Sequence, residues 1–237
     1  MPIALINRHT SASAERKLNI LGYTTLRLPS ADFMDEPLAS HPDMLLCKCF
    51  DTIVTSSRYC EIAPYVFTDL REYSSIKKLC FTEEEPKRSY PHDAIFNALI
   101  GEEIALIKSD TVSRTLIDLL IEKGIKAVHT NQGYPACTTL LFGGSAITAD
   151  RGVERTLREN GINVTLIENG GISLLPYEYG FIGGTAGVHN KRIFFYGDPM
   201  LHPSGEKIVN AIKDAGYEWT ALSDEPLRDL GGIIFID

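Results

Sequence analysis

The stretch LRENGINVTLI (residues 157–167) reads as the end of a helix, a glycine that reverses the chain, and a strand. Its meaning lies in its recurrence. KLNILGYTTLRL (17–28), LIEKGIKAVH (120–129) and IKDAGYEWTAL (212–222) have the same form, and REYSSIKKLCF (71–81) has it without the glycine. Glycine just past a helix takes the left-handed conformation without steric cost, so each of these spacings predicts a helix turning into a strand. Each is followed by a polar segment and two short β-rich runs: 41–56, 91–110, 134–150, 178–198 and 227–237. The first four read as hairpins turning at Phe50-Asp51, Gly101-Glu102, Gly143-Gly144 and within Gly187 to Lys191. The fifth ends after one strand, and PIALIN (2–7) is the segment available to pair with it.

The unit is therefore helix, strand, strand, strand, about 47 residues long. Its five copies divide the chain near 8–56, 57–110, 111–150, 151–198 and 199–237, with 1–7 completing the last. Pairing the two ends closes the repeats into one α/β domain, a five-bladed pseudo-fivefold propeller with no exposed sheet edge at the seam. An ordinary α/β sandwich is the competing architecture. A dinucleotide-binding fold is disfavoured, because GFIGGTAG (180–187) lies between two strands instead of opening a helix.

With 237 residues, 44% of them hydrophobic, the chain can bury a sizeable core. A formal net charge of −8 argues against nucleic acid and against an anionic membrane surface, and is compatible with a small cationic partner. No run approaches the roughly 20 apolar residues of a membrane helix, and the N-terminus lacks a basic leader. The five cysteines (47, 49, 60, 80 and 137) are odd in number and lack metal-type spacing. They read as reduced thiols in a cytoplasmic protein, and no metal or cofactor is called for. The outer helices offer a face on which two copies could pair.

The motifs HPDM (41–44), QGYPAC (132–137), ITAD (147–150), GFIGG (180–184) and DLGGII (229–234), with the five repeats, resemble a bacterial branch of the pentein superfamily, the guanidino-group modifying enzymes. That group includes arginine deiminases, dimethylarginine dimethylaminohydrolases, amidinotransferases and agmatine deiminases. The resemblance implies a central cavity in which carboxylates grip a guanidinium, a Cys attacks its carbon and a His relays protons. One departure is plain. Such enzymes keep the nucleophilic Cys near the C-terminus, whereas the C-terminal unit here has none.

Superposing the five hairpin starts aligns Asp43, Asp93, Cys137, Phe181 or its neighbour Gly180, and Asp229. Carried onto these positions, the resemblance makes Cys137 the nucleophile, His92 or His41 the acid/base, and Asp43, Asp93 and Asp229 the substrate ligands. Cys137 follows the turn-like Gln132 to Pro135 and is expected to start a strand, while Cys47, Cys49 and Cys80 lie inside β runs. An Asp at a strand start is often only a turn former. Three converging carboxylates, however, repel one another without a cationic partner. Asp150 is expected to cap the helix beginning at Arg151. Tyr177, Tyr179 and Phe181 could pack on a flat cation, although the glycines beside them also suit a tight hairpin. His129, His189 and His202 are expected outside the site. The resulting reading is a Cys-dependent hydrolase or amidinotransferase acting on a small arginine-like guanidine. The alternative is a non-catalytic module that binds a small cation or amino acid.

Overall fold

The computed structural model describes residues 1–237. The chain begins with β1 (Ile3–Asn7), α1 (Ala12–Ile20) and β2 (Thr24–Leu28). A one-turn helix α2 (Pro42–Leu45) leads into the hairpin of β3 (Leu46–Cys49) and β4 (Thr52–Ser56), followed by α3 (Ser57–Ile62), α4 (Pro64–Tyr73) and β5 (Lys78–Thr82). Next come β6 (Leu99–Ile100), β7 (Ile104–Ile107), α5 (Arg114–Glu122) and β8 (Lys126–His129). Then α6 (Pro135–Thr138) precedes β9 (Thr139–Phe142), β10 (Ser145–Thr148), α7 (Arg151–Glu159) and β11 (Asn163–Leu166). The chain finishes with β12 (Ala186–His189), β13 (Arg192–Phe195), α8 (Gly205–Asp214), β14 (Glu218–Ala221) and β15 (Ile234–Ile236).

These strands form five three-stranded sheets of one design. A central strand pairs antiparallel with its hairpin partner and parallel with the strand that follows the helix, as in Thr139↔Thr148 beside Thr148↔Leu166. The N-terminal β1 is itself a central strand, parallel to β2 and antiparallel to β15, with Ile3 opposite Ile236 and Leu5 opposite Ile234. The two ends thus complete one sheet. Each repeat boundary read from the sequence falls between a central strand and its helix, so every sheet takes its third strand from the unit that follows.

The local reasons are those of the repeat. Gly22, Gly124, Gly161 and Gly216, just past α1, α5, α7 and α8, all have φ between +70° and +93°. Where the glycine is missing, after α4, the Ser74 hydroxyl donates to Leu70 O (2.6 Å) and accepts from Ile76 N, closing the helix by side chain. Ser11, Ser56, Ser113 and Asp150 cap the N-termini of α1, α3, α5 and α7, as expected for Asp150. One turn is shorter than its sequence suggests. The fourth hairpin reverses at Asn190 and Lys191, both at positive φ. Gly187 lies within β12, where an added Cβ would stand 2.3 Å from Ile233 O, so this glycine permits close approach of β15.

Five apolar clusters fill the five junctions between neighbouring sheets. Ile3, Leu5 and Ile236 meet Ile53, Val66 and Phe67 at the first junction. Cys49 and Val54 meet Ala105 and Leu116 at the next. Leu106 meets Val153 and Val164, and Phe142 and Ile147 meet Ile193 and Ile208. Finally Ala4 and Ile6 meet Phe194 and Phe235. Alternate residues of β1 serve different junctions, which explains why all five are buried. The last junction is also tied by polar contacts. His189 is mostly buried there, not at the surface: it stacks on Phe235, Tyr23 meets its Nδ1 at 3.0 Å, and its Nε2 meets Asp237 at 2.8 Å.

Ile236→Ala should expose this dependence on closure. The side chain is fully buried. Its truncation is expected to lower unfolding stability by about 2–5 kcal/mol in urea titrations, with Ile20→Ala on the exposed face of α1 within about 0.5 kcal/mol of the parent.

Candidate functional site

Cys137 lies in the one-turn helix α6, two residues before β9, and so does not start a strand as its sequence context suggested. Pro135 at the first helical position presets that turn. Asp43 lies in the matching one-turn helix α2, which also carries Pro at its first position. The thiol of Cys137 donates to Asp43 Oδ2 at 2.7 Å and accepts from Asn97 Nδ2 at 3.0 Å. Asn97 also donates to Asp43 O (3.2 Å), and its Oδ1 accepts Ala136 N (2.8 Å), so one amide joins three consecutive blades. Asn97 was missed in the sequence reading. Its signal is a lone amide within the apolar run Ala94 to Leu99.

The aligned positions are not strictly equivalent. Leu46, Thr139 and Ile234 occupy matching strand starts, and Asp43, Cys137 and Asp229 precede them by different offsets. The central turns differ in length, and side-chain direction compensates. Asp229 is held by two backbone donors, Phe181 N to Oδ2 (2.8 Å) and Gly231 N to Oδ1 (3.0 Å). The glycines of GFIGG make the space. A Cβ on Gly184 would lie 1.9 Å from Asp229 Oδ1, and one on Gly183 would lie 2.1 Å from Ala136 O. These two positions are occupied by glycine for packing against the site, where the sequence favoured hairpin turns.

A cavity of about 360 Å³ opens over this arrangement. Its wall includes His41, Tyr134, Cys137, Asp229, Tyr177, Glu178, Tyr179 and Phe181. His41 is buried, with Nδ1 3.8 Å from Asp229 Oδ1 and no hydrogen-bond partner. Asp93 stands behind the wall, its Oδ2 accepting the Tyr134 hydroxyl at 2.9 Å. His92 is exposed and does not line the cavity, so of the two candidate histidines only His41 shares a cavity with Cys137. Asp43 lines a second cavity, about 240 Å³, bounded by strands of the five sheets; the Cys137–Asp43 contact separates the two. Two broader polar clefts of about 500 and 570 Å³ flank the N-terminus of α7, which Asp150 already caps. No grouping of His, Cys, Asp and Glu is arranged to hold a metal ion. Cys47 and Cys49 are buried in β3, and none of the five cysteines is bridged.

Three buried side-chain polar atoms lack a hydrogen-bond partner: His41 Nδ1, Asp43 Oδ1 and Asp93 Oδ1. All three belong to residues singled out from the sequence. The electrostatics follow from burial. Desolvation, with the nearby Asp229 charge, raises the Asp43 carboxyl to about 8. Desolvation raises Asp229 to about 6 against its two backbone hydrogen bonds. Desolvation lowers His41 to about 3, so the imidazole is neutral near pH 7. Burial, then the charges of Asp43 and Asp229, push the Cys137 thiol well above the ordinary range. The empty site therefore keeps its thiol protonated and favours a cation.

The chain matches, over residues 5–234, the model described as "Family of unknown function (DUF6873)". No curated protein matches its sequence. Solved structures match its fold across almost the full length. DDAH from Pseudomonas aeruginosa, in complex with citrulline, is 12% identical, with a TM-score of 0.60 over 94% of this chain and 92% of that one. The inosamine-phosphate amidinotransferase of Streptomyces griseus is 15% identical, with a TM-score of 0.55 over 92% and 75%. The N-terminal domain of ArgZ, a cyanobacterial arginine dihydrolase bound to substrate, is 12% identical, with a TM-score of 0.56 over 99% and 98%. The architecture is the pentein fold expected from the repeats.

Asp43→Asn tests the electrostatics. In the folded chain Asp43 holds its proton up to about pH 8, whereas an unfolded Asp loses it near pH 4. Stability should therefore fall as pH rises from 6.5 to 8, by up to about 1.4 kcal/mol per pH unit. The upper limit stays below the ordinary thiol range; near the lower limit the unfolded-state titration of His41 opposes the slope, but it is common to both variants, so their difference isolates Asp43. The Asn variant should flatten that slope in denaturant titrations at pH 6.5, 7.25 and 8.

Proposed function

We propose that this chain, which belongs to DUF6873, a family of unknown function, binds a small guanidine-bearing cation at its centre and hydrolyses or transfers the amidino group through Cys137. The observation that carries the reading is the set of orphaned buried atoms at the centre: on His41, which lines the cavity, on Asp43, hydrogen-bonded to Cys137 beneath it, and on Asp93 behind its wall. Buried polar groups without partners are costly and rare, and three at one centre fit a site completed by its ligand. Asp229 supplies negative charge, and Tyr177, Tyr179 and Phe181 supply faces on which a planar cation can rest. The general chemistry agrees with that named for the DDAH, amidinotransferase and arginine dihydrolase structures sharing the fold.

An arriving guanidinium offsets the negative field that holds the thiol protonated. The same charge lowers the Asp43 carboxyl, which gives its proton up to solvent as the cation binds; the thiol proton then passes along the existing hydrogen bond to the Asp43 carboxylate, and Sγ attacks the guanidinium carbon. The C–N bond to the substrate amine breaks, and that amine takes the proton held by Asp43. An amidino-thioether remains on Cys137. Water or a second amine then attacks the same carbon and the S–C bond breaks. With water, one proton returns to sulfur and the other goes to neutral His41. With an amine, the proton returns to sulfur. Asp229 beside His41 Nδ1 favours the proton on that nitrogen, which leaves Nε2 as the acceptor.

A non-catalytic cation-binding role is the second reading, favoured by the strong suppression of the Cys137 thiolate. Chloroacetamidine, a cationic alkylating agent, separates the two. Peptide mapping is expected to find Cys137 labelled at least about tenfold faster than Cys47, Cys49, Cys60 or Cys80, and protected by methylguanidine. Equally slow labelling of all five thiols would instead assign the binding role.

A further inference from the structure

The cavity over Cys137 contains an asymmetry that bears on the rest of the ligand. Its lining includes two carboxylates, Asp229 at the floor and Glu178 on the exposed 175–178 segment, and neither Lys nor Arg. The remaining wall is largely apolar or aromatic, from Leu38, Met44, Leu174 and the ring side chains. Arg228, whose charge is felt at His41, does not line the cavity. Arg228 is exposed although it adjoins Asp229 in sequence.

A ligand carboxylate would leave water, meet Asp229 and Glu178 and find no cationic side chain on the lining. An amino acid that carries a guanidine pays that cost whichever way it enters. A ligand with a second positive charge gains instead at Glu178 while its guanidinium faces Asp229, and an alkyl spacer between the charges matches the apolar wall. We propose that the site selects aminoalkylguanidines, cations bearing an amine in place of a carboxylate, over arginine-like amino acids, and that Glu178 is the specificity-determining residue. This rests on the guanidine reading above and narrows its guanidine-bearing cation to a dicationic one.

The experiment measures binding to the full chain by calorimetry at pH 7 with three probes: 4-aminobutylguanidine, n-butylguanidine and arginine. The aminoalkyl compound is expected to bind about tenfold more tightly than arginine, with butylguanidine between them. Glu178→Gln is expected to weaken 4-aminobutylguanidine by about two- to fivefold, the scale of a partly exposed ion pair, and to leave butylguanidine unchanged. Arginine binding as tightly as the diamine analogue, or a Glu178→Gln variant that leaves the ratio untouched, would overturn the selectivity alone. Arginine binding that disappears in Arg228→Ala would show that Arg228 reaches the carboxylate, and would overturn it too. Failure of all three probes to bind would remove the guanidine reading and this inference together.

Discussion

The antiparallel pairing of β15 with β1 is the contact on which the rest of the molecule depends. Each central strand carries apolar side chains on both faces, and each face needs a neighbouring sheet. In an open row of five such sheets, the two outermost would leave one face in water. Bringing the last strand beside the first supplies the missing junction, and Ala4, Ile6, Phe194 and Phe235 fill it. The same step carries Asp229, a few residues before β15, to the place where it faces His41 and shares a cavity with Cys137. Packing at the circumference therefore sets the composition of the centre.

That centre is assembled against its own electrostatic preference. Two carboxylates, a thiol and an imidazole sit in a region with little water, and each responds by staying neutral over an unusually wide pH range. The glycines at 183 and 184 and the two backbone donors to Asp229 show how closely the chain is fitted around these groups. Desolvated groups that gain no partner within the protein reduce stability, and a fold retains such an arrangement when a ligand compensates it. A protonated thiol hydrogen-bonded to a carboxyl also responds to a ligand: an added positive charge lowers both values together, as the proposed reaction requires.

The pentein architecture by itself does not decide activity, because sites are built on folds and vary independently of them. Here the central Cys137 belongs to the third unit, and the C-terminal unit contributes a carboxylate at the centre. An Asn, three aromatic side chains from the 177–181 segment and the Asp93–Tyr134 pair complete the surroundings. The chemistry proposed for this chain accordingly rests on these groups, with the shared fold as context.

Much of the architecture was legible in residue order because its signals are local. Gly22, Gly124, Gly161 and Gly216 each end a helix within a few residues, and that information needs no distant partner. The central positions of Asp43, Cys137 and Asp229 could be approached in the same way, since a repeated unit turns sequence spacing into symmetry. The choice of His41 over His92, the amide of Asn97 spanning three blades, and the reason for glycine at 183 and 184 were not available. Each depends on which atoms from distant parts of the chain meet, at distances of a few ångströms, across turns of unequal length. Sequence alone determined five repeats and a list of polar groups suited to their centre. Tertiary packing decided which of those groups are buried without partners, because burial is a property of neighbours brought together by ring closure.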